Sequence, residues 1–272
     1  MFALLPLAMT QLYTESAKAT AKIESAQHLE ELRRQGVLGL DRSVKIRATP
    51  WRAGTEVPAG AKVVHLIRHG QGFHNLLGDL YRDFGVKVDS TGKESASPYT
   101  RPEIEDPPLT AIGREQAKAL RSTTAELEVE LVVTSPLARA AQTAHLAFPH
   151  LKGKVKWIGH EDVVETSGKN RCDKRRDLDE ISDDFPYVDW SLVPEKDRWT
   201  ADARETARSV SDRAHNFLLW LRTRAETRVA VATHSAWLFT LLNTAVTCDP
   251  PDLASWFMTG ELRSLILEYE EN

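Results

Sequence analysis

The chain has 272 residues, 42% of them hydrophobic and 27% charged, with a formal net charge of −4. That is ordinary globular composition, enough for one sizeable domain or a domain with an extension; it argues against a general nucleic-acid surface but leaves room for a local basic pocket. Two cysteines, Cys172 and Cys248, are too few and too far apart for a disulfide framework and point to a reducing compartment.

The opening "MFALLPLAMT" is apolar but too short to cross a bilayer, and it lacks a basic leading segment. No Asn-x-Ser/Thr acceptor occurs in the chain. A cytoplasmic protein without a membrane partner is therefore expected, with secretion as the lesser alternative. Residues 14–35 read as a helix that stops at Arg33, Arg34 and Gly36. Residues 36–61, with Gly36, Gly39, Pro50, Gly54, Pro58 and Gly60, read as an irregular linker or wrapping segment. The expected organisation is an N-terminal helical and irregular extension over 1–60 and a main domain over 61–272.

From Lys62 onward, short apolar runs alternate with helical patterns. "KVVHLI" (62–67), "ELVVTS" (130–135), "KVKWI" (154–158), "RVAVAT" (228–233) and "RSLILEYE" (263–270) read as strands. Helices are expected over 109–127 with Thr110 as N-cap, and over 136–148 with Ser135 as N-cap and Pro136 in the first position. Two more are expected over 201–225 and 235–246. This alternation implies an α/β fold, a three-layer α/β/α sandwich with a mostly parallel central sheet. Residues 76–108 and 159–200 do not fit the rhythm. Both follow strand ends and are expected to form a lid or substrate-selecting loops.

In such sheets, ligands bind beyond the carboxyl ends of the strands. Arg68 and His69 end the first strand, Arg139 lies about one turn into the helix after the second, Glu165 follows the third, and His234 ends the fourth and precedes a helix. Arg139 opposes the helix macrodipole, a conflict that a bound anion would reverse. Singly, each residue has an ordinary structural explanation; their coincidence at one edge carries the argument. His65 reads as packing, His145 and His215 as helix-surface residues, and His74 and His160 as weaker candidates near the site. Cys172 reads as buried packing rather than as a nucleophile.

"RHG" at a strand end, "LTAIGREQA" (109–117), "TSPLARAAQTA", an acid and "THS", in this order, resemble the histidine phosphatase superfamily, the phosphoglycerate mutase-like fold, over about residues 62–270. "RHGQGFHN" and "CDKRR" (172–176) resemble its eukaryotic phosphomutase-like branch. That branch typically reads Leu-Arg-Glu where this chain has Val163, Val164 and Glu165, so the branch's arginine is absent.

The resemblance implies a phosphohistidine on His69, and a protonated or partly protonated His234 that binds the phosphoryl group. Asn75 matches the family's phosphate-contacting asparagine. Independently, Arg68 and Arg139 suit the equatorial oxygens of a phosphomonoester, and a neutral imidazole suits attack on phosphorus. Glu165 is the candidate acid for the leaving alkoxide, and then the base for water. Gln71 and Ser235, with Lys174, Arg175 and Arg176 of "KNRCDKRR", are the remaining substrate-binding candidates. No HExxH or clustered Cys/His ligand pattern occurs, and "TGKES" (91–95) fails as a Walker loop, because Lys87 replaces its first glycine and Glu94 its Ser/Thr. The expected function is phosphomonoester hydrolysis on a small phosphorylated metabolite, without metal or cofactor. A phosphoglycerate-type mutase and a non-catalytic phosphate-binding protein are the alternatives. The sequence does not set the oligomeric state.

Overall fold

A computed structural model describes residues 15–91 and 97–271. The apolar opening stretch and residues 92–96, which include most of "TGKES", lie outside the described residues.

Helix α1 (Glu15–Arg34) has Glu15 in its first turn and Arg33 and Arg34 in its last, and Gly36 follows at φ +64°. Acid at the start, base at the end and a left-handed glycine beyond it are what a helix of this polarity requires. Its Leu32, with Val37 just after it, packs against Ala236, Phe239 and Trp256. The next segment contains a strand that the sequence did not announce, β1 (Val44–Pro50). It is buried at Ile46 and Ala48, with more exposed residues between. The two prolines and four glycines of 36–61 mask this short alternation, which pairs with the C-terminal strand in seven registered positions.

The remaining elements are β2 (Lys62–Arg68), α2 (Phe73–Asp83), α3 (Ala111–Ala119), α4 (Arg121–Thr124), β3 (Leu131–Thr134), α5 (Ala138–Ala147), β4 (Lys156–His160), α6 (Leu178–Asp184), β5 (Asp189–Leu192), α7 (Ala207–Thr223), β6 (Arg228–Thr233), α8 (Ser235–Thr240), β7 (Thr247–Cys248) and β8 (Leu262–Glu271). The eight strands form one sheet in the order β5-β4-β3-β6-β2-β8-β1-β7. Every neighbouring pair is parallel except the two made by β8. Val64, Leu66, Leu131, Val133, Val229 and Val231 meet α7 and α8 on one face. Ile67, Val132, Ala230 and Ala232 meet α5 and the 185–193 segment on the other. Strands buried on both faces explain the unbroken apolar runs. The expected α/β architecture is therefore present, as a mixed sheet with flanking helices.

Several boundaries differ from expectation, each for a local reason. Helix 109–127 breaks at Leu120 into α3 and α4, with the Thr110 hydroxyl accepting from the Gly113 amide as expected. Helix α5 starts at Ala138, not at Pro136. Its first amide donates to the Asp106 carboxylate at 2.8 Å, a cap from a distant loop, while the predicted Ser135 hydroxyl accepts from the Leu137 amide just before the helix at 3.3 Å. Helix α7 starts six residues later than 201, capped by Thr206. Arg204 and Glu205 are engaged in ion pairs instead of helix. The last turn of the 235–246 helix widens into a π-helical segment over Leu241–Ala245. No helix among the described residues is long and apolar enough to cross a membrane.

Candidate active site

Strand register builds the centre of the site. Arg68 of β2 is opposite Thr233 of β6, and the His69 amide continues the ladder by donating to the Thr233 carbonyl at 2.9 Å. The next residues, His69 and His234, are therefore side by side, with ring centroids 5.1 Å apart. On the other side of β6, the Ser135 amide donates to the Ala232 carbonyl, and the Ser135 hydroxyl lies 2.8 Å from His234 Nε2. Three adjacent strand ends thus deliver His69, His234 and Ser135 to one point, as the sheet-edge rule predicts.

The turn after His69 is held by backbone contact with α3. A Cβ on Gly70 would lie 2.4 Å from the Gly113 carbonyl oxygen, and one on Gly113 would lie 2.1 Å from that of Gln71. Both glycines of "RHG" and "LTAIG" are needed for this close approach. The Gly70 amide donates to the Thr143 hydroxyl of α5.

His69 is almost fully buried. Its Nδ1 donates to the Gly70 carbonyl at 2.7 Å, so the proton of a neutral ring is on Nδ1 and the lone pair is on Nε2. Arg139 Nε donates to that Nε2 at 3.3 Å. Burial, then the Arg139 and Arg68 guanidiniums, push His69 well below the ordinary imidazole range, against the smaller opposing effect of the Gly70 bond. His234 is pushed the same way, first by burial and then by Arg139. The proton expected on His234 therefore needs the charge of a bound anion to favour it. His74, whose ring centroid is 5.5 Å from that of His69, is likewise held neutral by burial and Arg139. The sequence ranked His74 low because nothing in "GFHN" shows that α2 turns this side chain inward.

Arg139 is the second residue of α5, not a full turn inside it, and it is buried rather than solvated. Besides His69, its guanidinium donates to the Cys172 carbonyl at 2.6 Å and to Asp173 at 2.8 Å. Asp173 also accepts from Arg204 at 2.7 Å. Arg68 Nη1 donates to the Phe257 carbonyl at 2.7 Å. Cys172 itself is buried, with its thiol pushed well up by burial and then by Asp173, which fits packing rather than nucleophilic chemistry.

The Glu165 carboxylate is clasped by backbone. It accepts from the Thr166 amide at 2.8 Å, the Trp237 amide at 3.0 Å and the Ala236 amide at 3.1 Å. Its loop is fixed by Arg213 of α7, which donates to the carbonyls of Asp162, Val164 and Glu165 and to Glu205. Burial alone would raise Glu205; Arg213, with the Ser167 amide and Ser209 hydroxyl, overcomes this and holds its carboxyl at about 2. Neither Arg213 nor Glu205 was singled out from sequence, because a pair eight residues apart in a charged stretch looks like surface until the carbonyls and the Ser167 amide, about 40 to 50 residues away, are seen to join it.

One cavity is lined by Arg68, His69, Asn75, Arg139, Glu165 and Ser235 of the expected set. His234 abuts it through its contact with His69. The cavity is also lined by Glu24 and His28 of α1, Ser90 and Tyr99 of the first expected lid stretch, and Asn170, Asp173 and Arg204 from later loops. Asn75 Oδ1 accepts from the Gly72 amide at 2.9 Å. Gln71 does not line this cavity. It lines a neighbouring one, and its side chain accepts from the Thr110 hydroxyl.

The basic run after Cys172 does not reach the cavity either. Lys174 pairs with Glu105, and Arg176 with Asp106 and Asp184. Arg175 is buried against the carbonyls of Pro194, Glu195 and Arg176. In this structure these three cations are engaged within their own loops, and none of them lines the cavity as expected of a substrate-binding group. His215, expected at the surface, is buried, and His160 accepts from the Asp162 amide outside the cavity.

A doubly covered α/β sheet with an arginine-flanked imidazole at its carboxyl edge defines the class: an α/β protein with a basic cavity at its sheet edge. The model of the histidine phosphatase superfamily (branch 1) matches residues 102–272. Phosphoglycerate mutase-like protein 1 of Arabidopsis thaliana is 31% identical over 76% of this chain and 81% of its own. A second Arabidopsis thaliana phosphoglycerate mutase-like protein is 30% identical over 76% of this chain and 84% of its own. The crystal structure of a putative alpha-ribazole-5'-P phosphatase from Escherichia coli K-12 shares the fold, with a TM-score of 0.50 and 20% identity over 77% of this chain and 95% of that one. The chain belongs to the histidine phosphatase superfamily.

Proposed function

We propose that the protein hydrolyses phosphomonoesters of small metabolites through a phosphohistidine on His69. The observation that carries this reading is the 2.7 Å bond from His69 Nδ1 to the Gly70 carbonyl, which leaves Nε2 with its lone pair in the cavity beside Arg139. A phosphate anchor alone would need only the arginines; a tautomer-fixed, unprotonated nitrogen is what a nucleophile needs.

In the proposed reaction Nε2 attacks phosphorus, the P–O bond to the leaving group breaks, and the departing oxygen takes a proton from Glu165. Arg68 and Arg139 bind the equatorial oxygens, and the Ser235 amide and the Asn75 side chain complete the phosphate's donors. The incoming dianion favours a proton on His234, which then steadies the transition state. Water next attacks phosphorus and passes a proton to Glu165, the P–N bond breaks, and inorganic phosphate leaves. The cations and donors are all side chains or amides of this chain, and no step requires a metal. A mutase would use the same centre and return the phosphoryl group to a second hydroxyl instead of to water.

Two measurements test the roles. Because His69 is held well below the ordinary imidazole value, Nε2 stays unprotonated on the acid side of neutrality. The kcat/KM of the free enzyme, corrected for substrate ionisation, is therefore expected to hold as pH falls through 6.5 and to decline only well below it. A titration centred at 6.5 would contradict this. Glu165→Gln is expected to slow alkyl phosphates about 10²- to 10⁴-fold and aryl phosphates much less, since good leaving groups need less protonation. Equal slowing across that series would remove Glu165 as the acid.

A further inference from the structure

Once the phosphoryl group is placed among Arg68, His69, Arg139 and the start of α8, the rest of the cavity lining remains without a ligand role. It includes several buried polar atoms without partners. Asn170 is 1% exposed and its Oδ1 has no hydrogen-bond partner, although its Nδ2 donates to the Ser90 carbonyl at 3.3 Å. Trp256 is 7% exposed and its indole N–H is also unpartnered. The Ser90 hydroxyl and Arg204 Nε are in the same condition. All four residues line the one cavity. Buried polar atoms are ordinarily satisfied, and several exceptions among the residues lining one cavity point to an absent ligand.

Helix α1 borders the same part of the cavity. Glu24, 7% exposed, lines the cavity, and its Oε1 accepts from Arg82 Nη2 at 2.8 Å, which fixes the carboxylate in place. His28, one turn on, lines it too and packs on Trp256, with ring centroids 4.8 Å apart.

We propose that α1 completes the substrate site, and that Glu24, His28, Ser90, Asn170 and Trp256 form a subsite for a neutral, polyhydroxylated leaving group such as a sugar. The proposal rests on the phosphomonoesterase reading for the position of the phosphoryl group. The chemistry of the wall selects the class. Glu24 and Asn170 Oδ1 accept, the Trp256 indole and Arg204 Nε donate, and the Ser90 hydroxyl does either, which is the mixture that vicinal hydroxyls require. The charge balance disfavours an acidic leaving group. Arg139 and Arg204 already share Asp173, Arg204 also donates to the Gly168 carbonyl, and Glu24 would repel a second anion.

The test measures binding rather than turnover, so that it survives failure of the catalytic reading. Titration calorimetry on the His69→Ala protein is run with glucose 6-phosphate, 3-phosphoglycerate and inorganic phosphate, alone and with Glu24→Gln or His28→Ala added. Glucose 6-phosphate is expected to bind at least about tenfold tighter than either of the others, the worth of one charged hydrogen bond or more. Glu24→Gln is expected to erase most of that advantage while moving inorganic phosphate less than about twofold, with His28→Ala weakening the sugar phosphate in the same direction. Equal affinities for glucose 6-phosphate and inorganic phosphate, tighter binding of 3-phosphoglycerate, or equal weakening of all three by Glu24→Gln would overturn the proposal. Should Glu24→Gln fail to fold by circular dichroism, His28→Ala decides alone by the same criteria. If the sugar phosphate binds as expected but wild type releases no phosphate from it, the subsite stands and the hydrolase reading falls.

Discussion

The two halves of the cavity are built in different ways. The phosphoryl half hangs from three adjacent strand ends, where pairing register alone sets His69, His234 and Ser135 side by side. The outer half is assembled from α1, residues 85–91 and 97–106, and the 165–206 segment: Glu24 of α1 pairs with Arg82 of α2, Arg171 and Lys174 pair with Glu105, and Val88, Tyr99, Ile104 and Cys172 form a small apolar cluster. Asp173 is the junction, since it joins Arg139 of the inner half to Arg204 of the outer. A site of this design keeps its chemistry on a rigid sheet edge, and its leaving-group contacts are free to vary with the loops.

The comparison breaks first at Asp173. Asp173→Ala strands two buried guanidiniums and is expected to cost about 3–5 kcal/mol, whereas Ser135→Ala, which removes the hydroxyl's bonds with His234 and the Leu137 amide, costs about 1–2. Urea unfolding of both variants checks the ranking, and a cost below about 1 kcal/mol at Asp173 would mean the halves are joined elsewhere.

Acid reaches the outer loops next. The folded Glu205 carboxyl titrates at about 2, below its ordinary 4.5, so its stabilising contribution is complete above pH 4.5 and is lost as pH falls from there to about 2. The shift corresponds to about 3 kcal/mol, and Glu205→Gln is expected to flatten the stability profile in that window. An unchanged profile would show that Arg213 does not depend on this partner.

Gly113→Ala probes the inner half. Alanine favours helix by about 1 kcal/mol, but its Cβ would meet the Gln71 carbonyl at 2.1 Å, and the clash with backbone outweighs that gain. A net loss of about 1–3 kcal/mol with a fall in turnover is expected. The smallest effect is at Lys174→Ala, which removes a half-exposed pair with Glu105; about 0.5 kcal/mol or less and turnover within twofold are expected. A large loss of substrate affinity there would restore the basic run as a binding element.

The same contrast explains what the sequence made legible. Strand runs such as "RVAVAT" matched β6 residue for residue, because burial on both faces writes an unbroken apolar signal. His69, Arg139 and His234 were placed because sheet topology fixes where strand ends go. The strand over 44–50 was hidden by its glycine- and proline-rich surroundings. The contribution of α1 was hidden for a different reason: Glu24 and His28 look like surface residues of a charged helix until Arg82 and Trp256 are beside them. The reverse case is Lys174, Arg175 and Arg176, where a basic run suggested anion binding and the structure pairs it with the carboxylates and carbonyls of its own loops.

The most direct test of the central claim is base-stable, acid-labile capture of the enzyme-bound phosphoryl group. Wild type and His69→Ala are incubated with ³²P-labelled phosphomonoester, quenched under denaturing alkaline conditions, and mapped by peptide. The account predicts label on the peptide carrying His69, stable to base and labile to acid, and neither label nor phosphate release in a folded His69→Ala protein. Phosphate release that persists in His69→Ala, or label on another residue, would contradict it.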